Sequence, residues 1–341
     1  MTRLAPTLGL LLLALCSAAA QDKPELKPEL STVRLAVGGR SGLFYLPLTV
    51  TERLGYFKDA GLDVEIADVQ AGVRALQAVV GGSAEVATGT FDHTIQMQAK
   101  GQPVVGIVQF GLVPGLVLGV IAAKADFYRG PKDLKGKRIG VTAPGSSTQF
   151  MAAYLMVRNG LKPDDASFVG VGVTSTAVAA VRRGEIDAIV SSDPMVSIME
   201  SEHLIKVVAD TRTADGARAV YGGPYPAGTL YATPAFMAKN PRTTQALATA
   251  FVRGLKWIAG HSAEEIARLM PEDYALGNMS VYVRAIGASK SMYSLDGRFS
   301  REGAETALEV LKQFDPTVRD ATIDLTKTYV EDFVAKAGVE N

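Results

Sequence analysis

The sequence predicts an α/β fold made of two similar lobes, and three observations predict it. Short apolar runs alternate with amphipathic runs of helical length, as strands and crossover helices do. The alternation breaks off and starts again near the middle of the chain. A helix-to-strand junction is echoed between the halves: "ALQAVVGGSAEVATG" is answered by "AVAAVRRGEIDAIVSS", with Gly82 matching Gly184 and Glu85 matching Asp187.

The first half begins with "TVRLAVG", a strand ending in Gly38-Gly39, followed by the loop "GRSGLFYL". Pro47 then opens a helix through Leu54, where its fixed φ suits a first turn. "GLDVEIADV" reads as a strand, "GVRALQAVVGG" as an amphipathic helix closed by glycines, and "AEVATG" as a buried strand. "TFDHTIQMQAKG" is a helix and "PVVGIVQF" a further strand.

In the second half "KRIGVTA", "SFVGVGV" and "DAIVSS" read as strands. "SSTQFMAAYLMVRNG" and "TSTAVAAVRRGE" read as helices, and Asp193 heads the helix "DPMVSIMES". "GLVLGVIAA" and "GTLYATPAF" bracket this half and suit the crossings between lobes. The expected division is lobe 1 at 32–120 and 226–341, and lobe 2 at 121–225. Beyond Asn240-Pro241 the chain reads as helical, with a capping box at Ser262-x-x-Glu265 and a stop at Pro271.

The first twenty residues read as a secretory leader. Arg3 supplies a positive start, Leu8 to Leu15 an apolar core too short to span a bilayer, and Ala18-Ala19-Ala20 a cleavage pattern. A lipoprotein leader would place a small residue before its cysteine, but Leu15 precedes Cys16, so cleavage after Ala20 is expected. The product would lack cysteine and carry 34 basic against 35 acidic residues. Near-neutrality argues against nucleic acid or an anionic membrane as partner. Residues 21–31, with two Lys-Pro pairs, read as a flexible lead-in.

The usual catalytic constellations do not occur: there is no G-x-S-x-G elbow, no phosphate loop with Gly-Lys-Ser/Thr, and no H-E-x-x-H. His93, His203 and His261 stand apart, so no metal or cofactor is expected. His93 follows Asp92 at a helix start; the pair suits either a solvated cap or the rim of a cleft. "APGSSTQF" follows a strand and opens a helix. Ser146-x-x-Gln149 suits a capping box, while the free amides of a helix start also suit an anion. Serine catalysis at Ser147 lacks a visible base.

In open α/β sheets ligands lie beyond the carboxyl ends of strands. "APGSST" and its first-half counterpart "GGRSGLFYL" both sit there, which suggests two jaws of one cleft. Arg40 could supply a cation, and Phe44 with Tyr45 an apolar wall or ordinary core. Thr90-Phe91 and Asp193 end further strands, Asp193 equally fitting a helix cap. Tyr221 and Tyr225 lie near the return crossing.

"YLPLTVTERLGYFKDAGLDVEI", "GVRALQAVVGGSAEVATGTFDHTIQMQAKGQ" and "LKGKRIGVTAPGSST" resemble the nitrate/sulfonate/taurine-type periplasmic solute-binding proteins of ABC importers. The resemblance implies a two-lobed type II periplasmic-binding fold: two α/β sheets, two crossing strands and extra C-terminal helices. It further implies closure around a small organic anion (sulfonate, taurine-like or carboxylate) and delivery to a membrane permease with a separate ATPase. A monomer in the periplasm is the default. Carried over to this chain, the ligand residues are Arg40, Ser41 and Gly42 with Gly145, Ser146, Ser147, Thr148 and Gln149, then Thr90, Phe91 and Asp193. The alternatives are a thiamine-precursor pyrimidine, nitrate or bicarbonate as ligand, a membrane-receptor sensor, or an exported enzyme on the same fold. The family's fungal pyrimidine synthases use a cysteine-rich iron site, which a chain with one leader cysteine does not match.

Overall fold

The computed structural model describes residues 27–338; the leader, Cys16 and the cleavage point after Ala20 lie outside the described residues. The first half runs β1 (Thr32–Val37), α1 (Leu46–Arg53), α2 (Tyr56–Asp59), β2 (Asp63–Asp68), α3 (Gly72–Val80), β3 (Val86–Thr90), α4 (Asp92–Ala99) and β4 (Val105–Gln109). The second runs β5 (Leu116–Ile121), β6 (Arg138–Val141), α5 (Ser147–Arg158), β7 (Ser167–Gly170), α6 (Ser175–Arg182), β8 (Ala188–Ser192), α7 (Met195–Ser201), β9 (Ile205–Asp210) and α8 (Ala214–Tyr221). Then come β10 (Gly228–Ala232) and the helices α9 (Pro234–Lys239), α10 (Pro241–Gly260), α11 (Ala263–Leu269), α12 (Met279–Ser289), α13 (Arg301–Phe314), α14 (Pro316–Asp320) and α15 (Asp332–Ala337).

Two five-stranded sheets result, ordered β2-β1-β3-β10-β4 and β7-β6-β8-β5-β9. They have one plan. Three parallel strands are followed by an antiparallel one, β10 or β5, which also pairs antiparallel with the last strand. Each antiparallel strand carries one register shift, at Leu230/Tyr231 and at Leu118/Gly119. The apolar run "LVLGVI" of β5 is buried throughout and lies inside the second sheet. The first passage between sheets therefore falls before β5, at 110–115, not at the boundary expected at residue 120. Burial decides this, because a strand apolar on both faces needs neighbours and cover on both sides.

α10 shows how the first core is covered. Thr244, Leu247, Ala248, Phe251, Leu255 and Ile258 recur at helical spacing and are buried. Phe251 stacks on Phe110 with centroids 4.7 Å apart. The expected lead-in is docked from Glu29 on. Glu29 takes the amides of Arg242 (3.1 Å) and Thr243 (2.8 Å) at the start of α10. Burial raises the carboxyl, but those donors outweigh it and hold the pKa at about 2. The box at Ser262 and Glu265 forms as expected, with bonds of 3.2 and 2.8 Å. Two C-terminal helices touch both halves: α13 packs on α4 and α5, and α12 lies against α7. Among the described residues no helix is long and apolar enough to cross a membrane.

Candidate functional site

The carboxyl ends of β1, β3, β6 and β8 face one another, and the loops beyond them touch across the two halves. Leu43 N donates to Asp193 O at 2.8 Å. Val73 N, in the first turn of α3, donates to Ser146 Oγ at 3.4 Å. Ser147 Oγ lies 2.6 Å from Thr90 Oγ1 and donates to Asp92 Oδ1 at 2.8 Å. Thr90 Oγ1 reaches the same oxygen at 2.5 Å, and Tyr225 OH reaches Asp92 Oδ2 at 3.3 Å. One carboxylate of the first half thus gathers hydroxyls from both halves and from the return passage.

Glycines allow this approach at two points. Gly145 has φ +87°, and a Cβ there would stand 3.3 Å from Val73. Gly39 has φ +132°, and its Cβ would lie 2.0 Å from Val173 Cγ2 in the other half. Neither position accepts a side chain without strain or parting of the lobes.

The expected site residues divide into several groups. Gly42, Thr90, Gly145, Ser146, Ser147 and Asp193 stand at the contact. Thr148 is buried but turned inward, its Oγ1 taking the Thr142 amide at 3.0 Å. Phe91 is wholly buried and packs away from the contact, against Phe299 and Tyr329. Phe44 packs on Gly228 and Phe110, while Tyr45, edge-on to it at 4.9 Å, turns its hydroxyl toward Gly72. Ser41 is half-buried on the same loop.

Two expectations are corrected. Arg40 is paired where a free cation was expected: its guanidinium meets Glu52 through Nη2, its buried Nε keeps no partner, and its amide donates to Asp68 at 3.0 Å. The capping box at Ser146 does not form. Gln149 Oε1 takes the Gly145 amide at 2.7 Å, and Ser146 Oγ faces Val73 across the contact. The Gln149 amide goes instead to the Ser146 carbonyl, at 2.8 Å. As the first residues of α5, Ser147 and Thr148 have no acceptor for their amides within the helix. Asp193 stands one residue ahead of Pro194, the N-cap of α7, and its carboxylate takes Ser197 N at 2.8 Å and Ser197 Oγ at 2.7 Å. Burial pushes its carboxyl up, against the Ser197 bonds and Arg212.

Sequence reasoning gave too little weight to the first turn of α4. His93 is 0% exposed, neither solvated nor a cap. Its ring lies 6.0 Å from Phe150 and 6.5 Å from Tyr231, beside Gly72, and neither nitrogen has a hydrogen-bond partner. Burial lowers its pKa, against the pull of Asp92 and of the nearby Gly145 carbonyl, which closes no well-formed bond. Tyr231 OH is likewise buried without a partner, crowding Gly89. The signal was present: an acid and a histidine directly beyond a strand end. Among the described residues no three His, Cys, Asp or Glu side chains group as a metal site.

Residues 45–265 match the family described as NMT1/THI5 like. A protein of known structure from Bordetella bronchiseptica RB50 is 47% identical and superposes with a TM-score of 0.90 over 92% of this chain and 98% of its own. The nitrate-binding protein NrtA of Synechocystis PCC 6803 is 15% identical, with TM-score 0.68 over 92% and 90% of the two chains. The alkanesulfonate-binding protein SsuA of Xanthomonas axonopodis pv. citri is 16% identical, with TM-score 0.67 over 91% and 98%. These last two share the periplasmic-binding fold. By sequence the chain is also similar, at 26% identity, to the pyrimidine phosphate synthase THI5 of Saccharomyces cerevisiae, over 48% of this chain and 46% of that enzyme.

Proposed function

The chain belongs to the NMT1/THI5-like family, and on that premise we propose that it is the extracytoplasmic solute-binding component of an ABC importer. In this reading it captures a small solute between its lobes in the periplasm and hands it to a membrane permease with a separate ATPase. The expected solute, a small organic anion such as a sulfonate or carboxylate, keeps one support: the first-turn amides of α5. It loses another, since Arg40 is paired with Glu52. Low-identity neighbours that bind alkanesulfonate and nitrate support the fold of the reading.

The observation that carries it is His93, fully buried where both halves meet, with both ring nitrogens unpartnered. Buried polar groups in a finished core are bonded. An open imidazole between two lobes is what a captured solute bonds to. Catalysis fits less well: Ser147 Oγ is held by Asp92 and Thr90, and His93 makes no bond to it, so the one base at the hydroxyl is a carboxylate and no Ser–His pair forms.

The test is a thermal-shift and calorimetry screen against sulfonates, carboxylates, nitrate, bicarbonate and pyrimidines. A cognate solute at a hundredfold over Kd stabilises the fold by about 2.7 kcal/mol and is recovered unchanged. Conversion of the bound solute to a product overturns the reading.

A further inference from the structure

Two carboxylates are buried, Asp92 at 1% and Asp193 at 2% exposure, while no lysine or arginine is buried among the described residues. The two differ in what answers their charge. Asp193 has Arg212 Nη1 at 3.5 Å. Asp92 has hydroxyls only, from Thr90, Ser147 and Tyr225. Hydroxyls occupy the acceptor positions of a carboxylate but leave its negative charge uncompensated.

That charge reaches the groups around the contact. Burial above all opposes ionisation of Tyr45, Tyr225 and Tyr231; Asp92 comes next at Tyr225, and adds to it after Asp68 at Tyr45 and after Tyr45 at Tyr231. Nearby cations do not cancel it: Arg40 is taken by Glu52, and Lys100 is exposed at the far end of α4. A purely anionic solute entering here meets the amides of α5 on one side and an unbalanced carboxylate on the other. At effective interior dielectrics one unbalanced charge several ångströms away changes affinity by about tenfold to a hundredfold.

We propose that Asp92 sets the charge class of the solute. The molecule that fills this site presents a cationic N–H group toward Asp92 and an anionic group toward the first turn of α5, and is net neutral. Asp92 Oδ2 takes one hydrogen bond, the long one from Tyr225, and is the oxygen left to accept from the donor. The inference rests on the interlobe contact being the solute site, and it narrows the anion expectation to molecules that carry their own counter-charge.

Calorimetry with matched pairs tests it: taurine against ethanesulfonate, β-alanine against propionate, γ-aminobutyrate against butyrate. The expected result is at least one pair in which the amine-bearing member binds tenfold or more tightly. Asp92→Asn should then weaken that member at least tenfold while the amine-free member holds or gains affinity. Equal binding within the pairs by the wild-type protein overturns the inference and leaves the solute-site reading standing. An unchanged preference in D92N overturns it as well. If no member of any pair binds, the inference and the anion-site reading fall together. The wild-type comparison needs no variant, so it decides the matter even where D92N does not fold.

Discussion

The same joint is built twice in this molecule, once in each sheet, and comparing the copies separates scaffold from site. In the first, Glu85 takes the Arg34 amide at 2.7 Å, and Arg34 Nη2 reaches the Gly82 carbonyl at 3.4 Å. In the second, Asp187 takes the Arg138 amide at 2.9 Å, and Arg138 Nη2 reaches the Gly184 carbonyl at 3.2 Å. Gly82 and Gly184 turn at φ +75° and +66°. The second copy adds Lys124, whose Nζ donates to Asp187 at 2.7 Å and to the carbonyls of Gly184 and Ile186. The loops at the opposite ends of the strands share no such likeness. One half contributes aromatic rings, an imidazole, the Thr90 hydroxyl and the Asp92 carboxylate; the other contributes the Ser146 and Ser147 hydroxyls, helix-start amides and the Asp193 carboxylate. Joints that hold a sheet repeat, whereas the loops that meet at the interlobe contact differ.

The largest effect should come from a closure glycine, set against a joint glycine. Gly39→Ala places a methyl in Val173 and should weaken solute binding at least hundredfold, about 2.7 kcal/mol. Gly82→Ala, with open space around its Cβ but φ at +75°, should leave affinity unchanged and cost about 1–2 kcal/mol of stability. Calorimetry and urea melts read the two apart; equal losses of affinity would erase the distinction.

Next are the joints themselves. Asp187→Ala removes charged bonds to Lys124 and Arg138 and should cost about 2–3 kcal/mol in urea denaturation. Glu85→Ala, which has Arg34 as its one cationic partner, should cost about 1–2 kcal/mol. Both acids titrate below their ordinary range. The Arg34 bond is the main cause at Glu85; at Asp187 the Arg138 amide and Lys124 outweigh burial. Their stabilisation is therefore present above the ordinary carboxylate pKa and lost as pH falls through the lowered one. Identical losses would mean that Lys124 adds nothing.

Ser147→Ala and Thr148→Ala should part company. Ser147 reaches across to Asp92, so its loss should weaken binding about tenfold, 1.4 kcal/mol. Thr148 serves its own loop through Thr142, so its loss should cost about 1 kcal/mol of folding stability with little change in affinity.

The smallest effect is the pH dependence due to His93, which belongs to one half alone. Burial lowers its pKa, so below the ordinary value near 6.5 the unfolded chain takes up a proton that the folded chain refuses. Stability then falls as pH drops from neutrality toward the lowered pKa. His93→Gln should flatten that part of a chemical-denaturation profile; an unchanged slope would mean the imidazole ionises freely in the folded protein.

Much of the architecture was legible in the residues. Strand and helix alternation, the repeat, the glycine turns, the box at Ser262 and the loops beyond the strand ends all rest on signals a few residues long. The site was legible only as a neighbourhood. "APGSSTQF" and "GGRSGLFYL" were rightly set at strand ends, yet nothing local showed that Arg40 would pair with Glu52, and the Asp92–His93 pair was placed no more closely than a cap or a cleft rim.

The sequence by itself determined two α/β halves of one plan and the kinds of group, hydroxyl, amide, imidazole and carboxylate, available at their edges. Only the tertiary structure decided which groups meet. Ser146 turned from its own helix to Val73, β5 entered the second sheet, and Asp92 collected Ser147 and Tyr225, 55 and 133 residues away. The reason is physical. Periodicity and capping are set by near neighbours along the chain, whereas the partner of a buried charge is chosen by whatever packing brings within three ångströms or so of it.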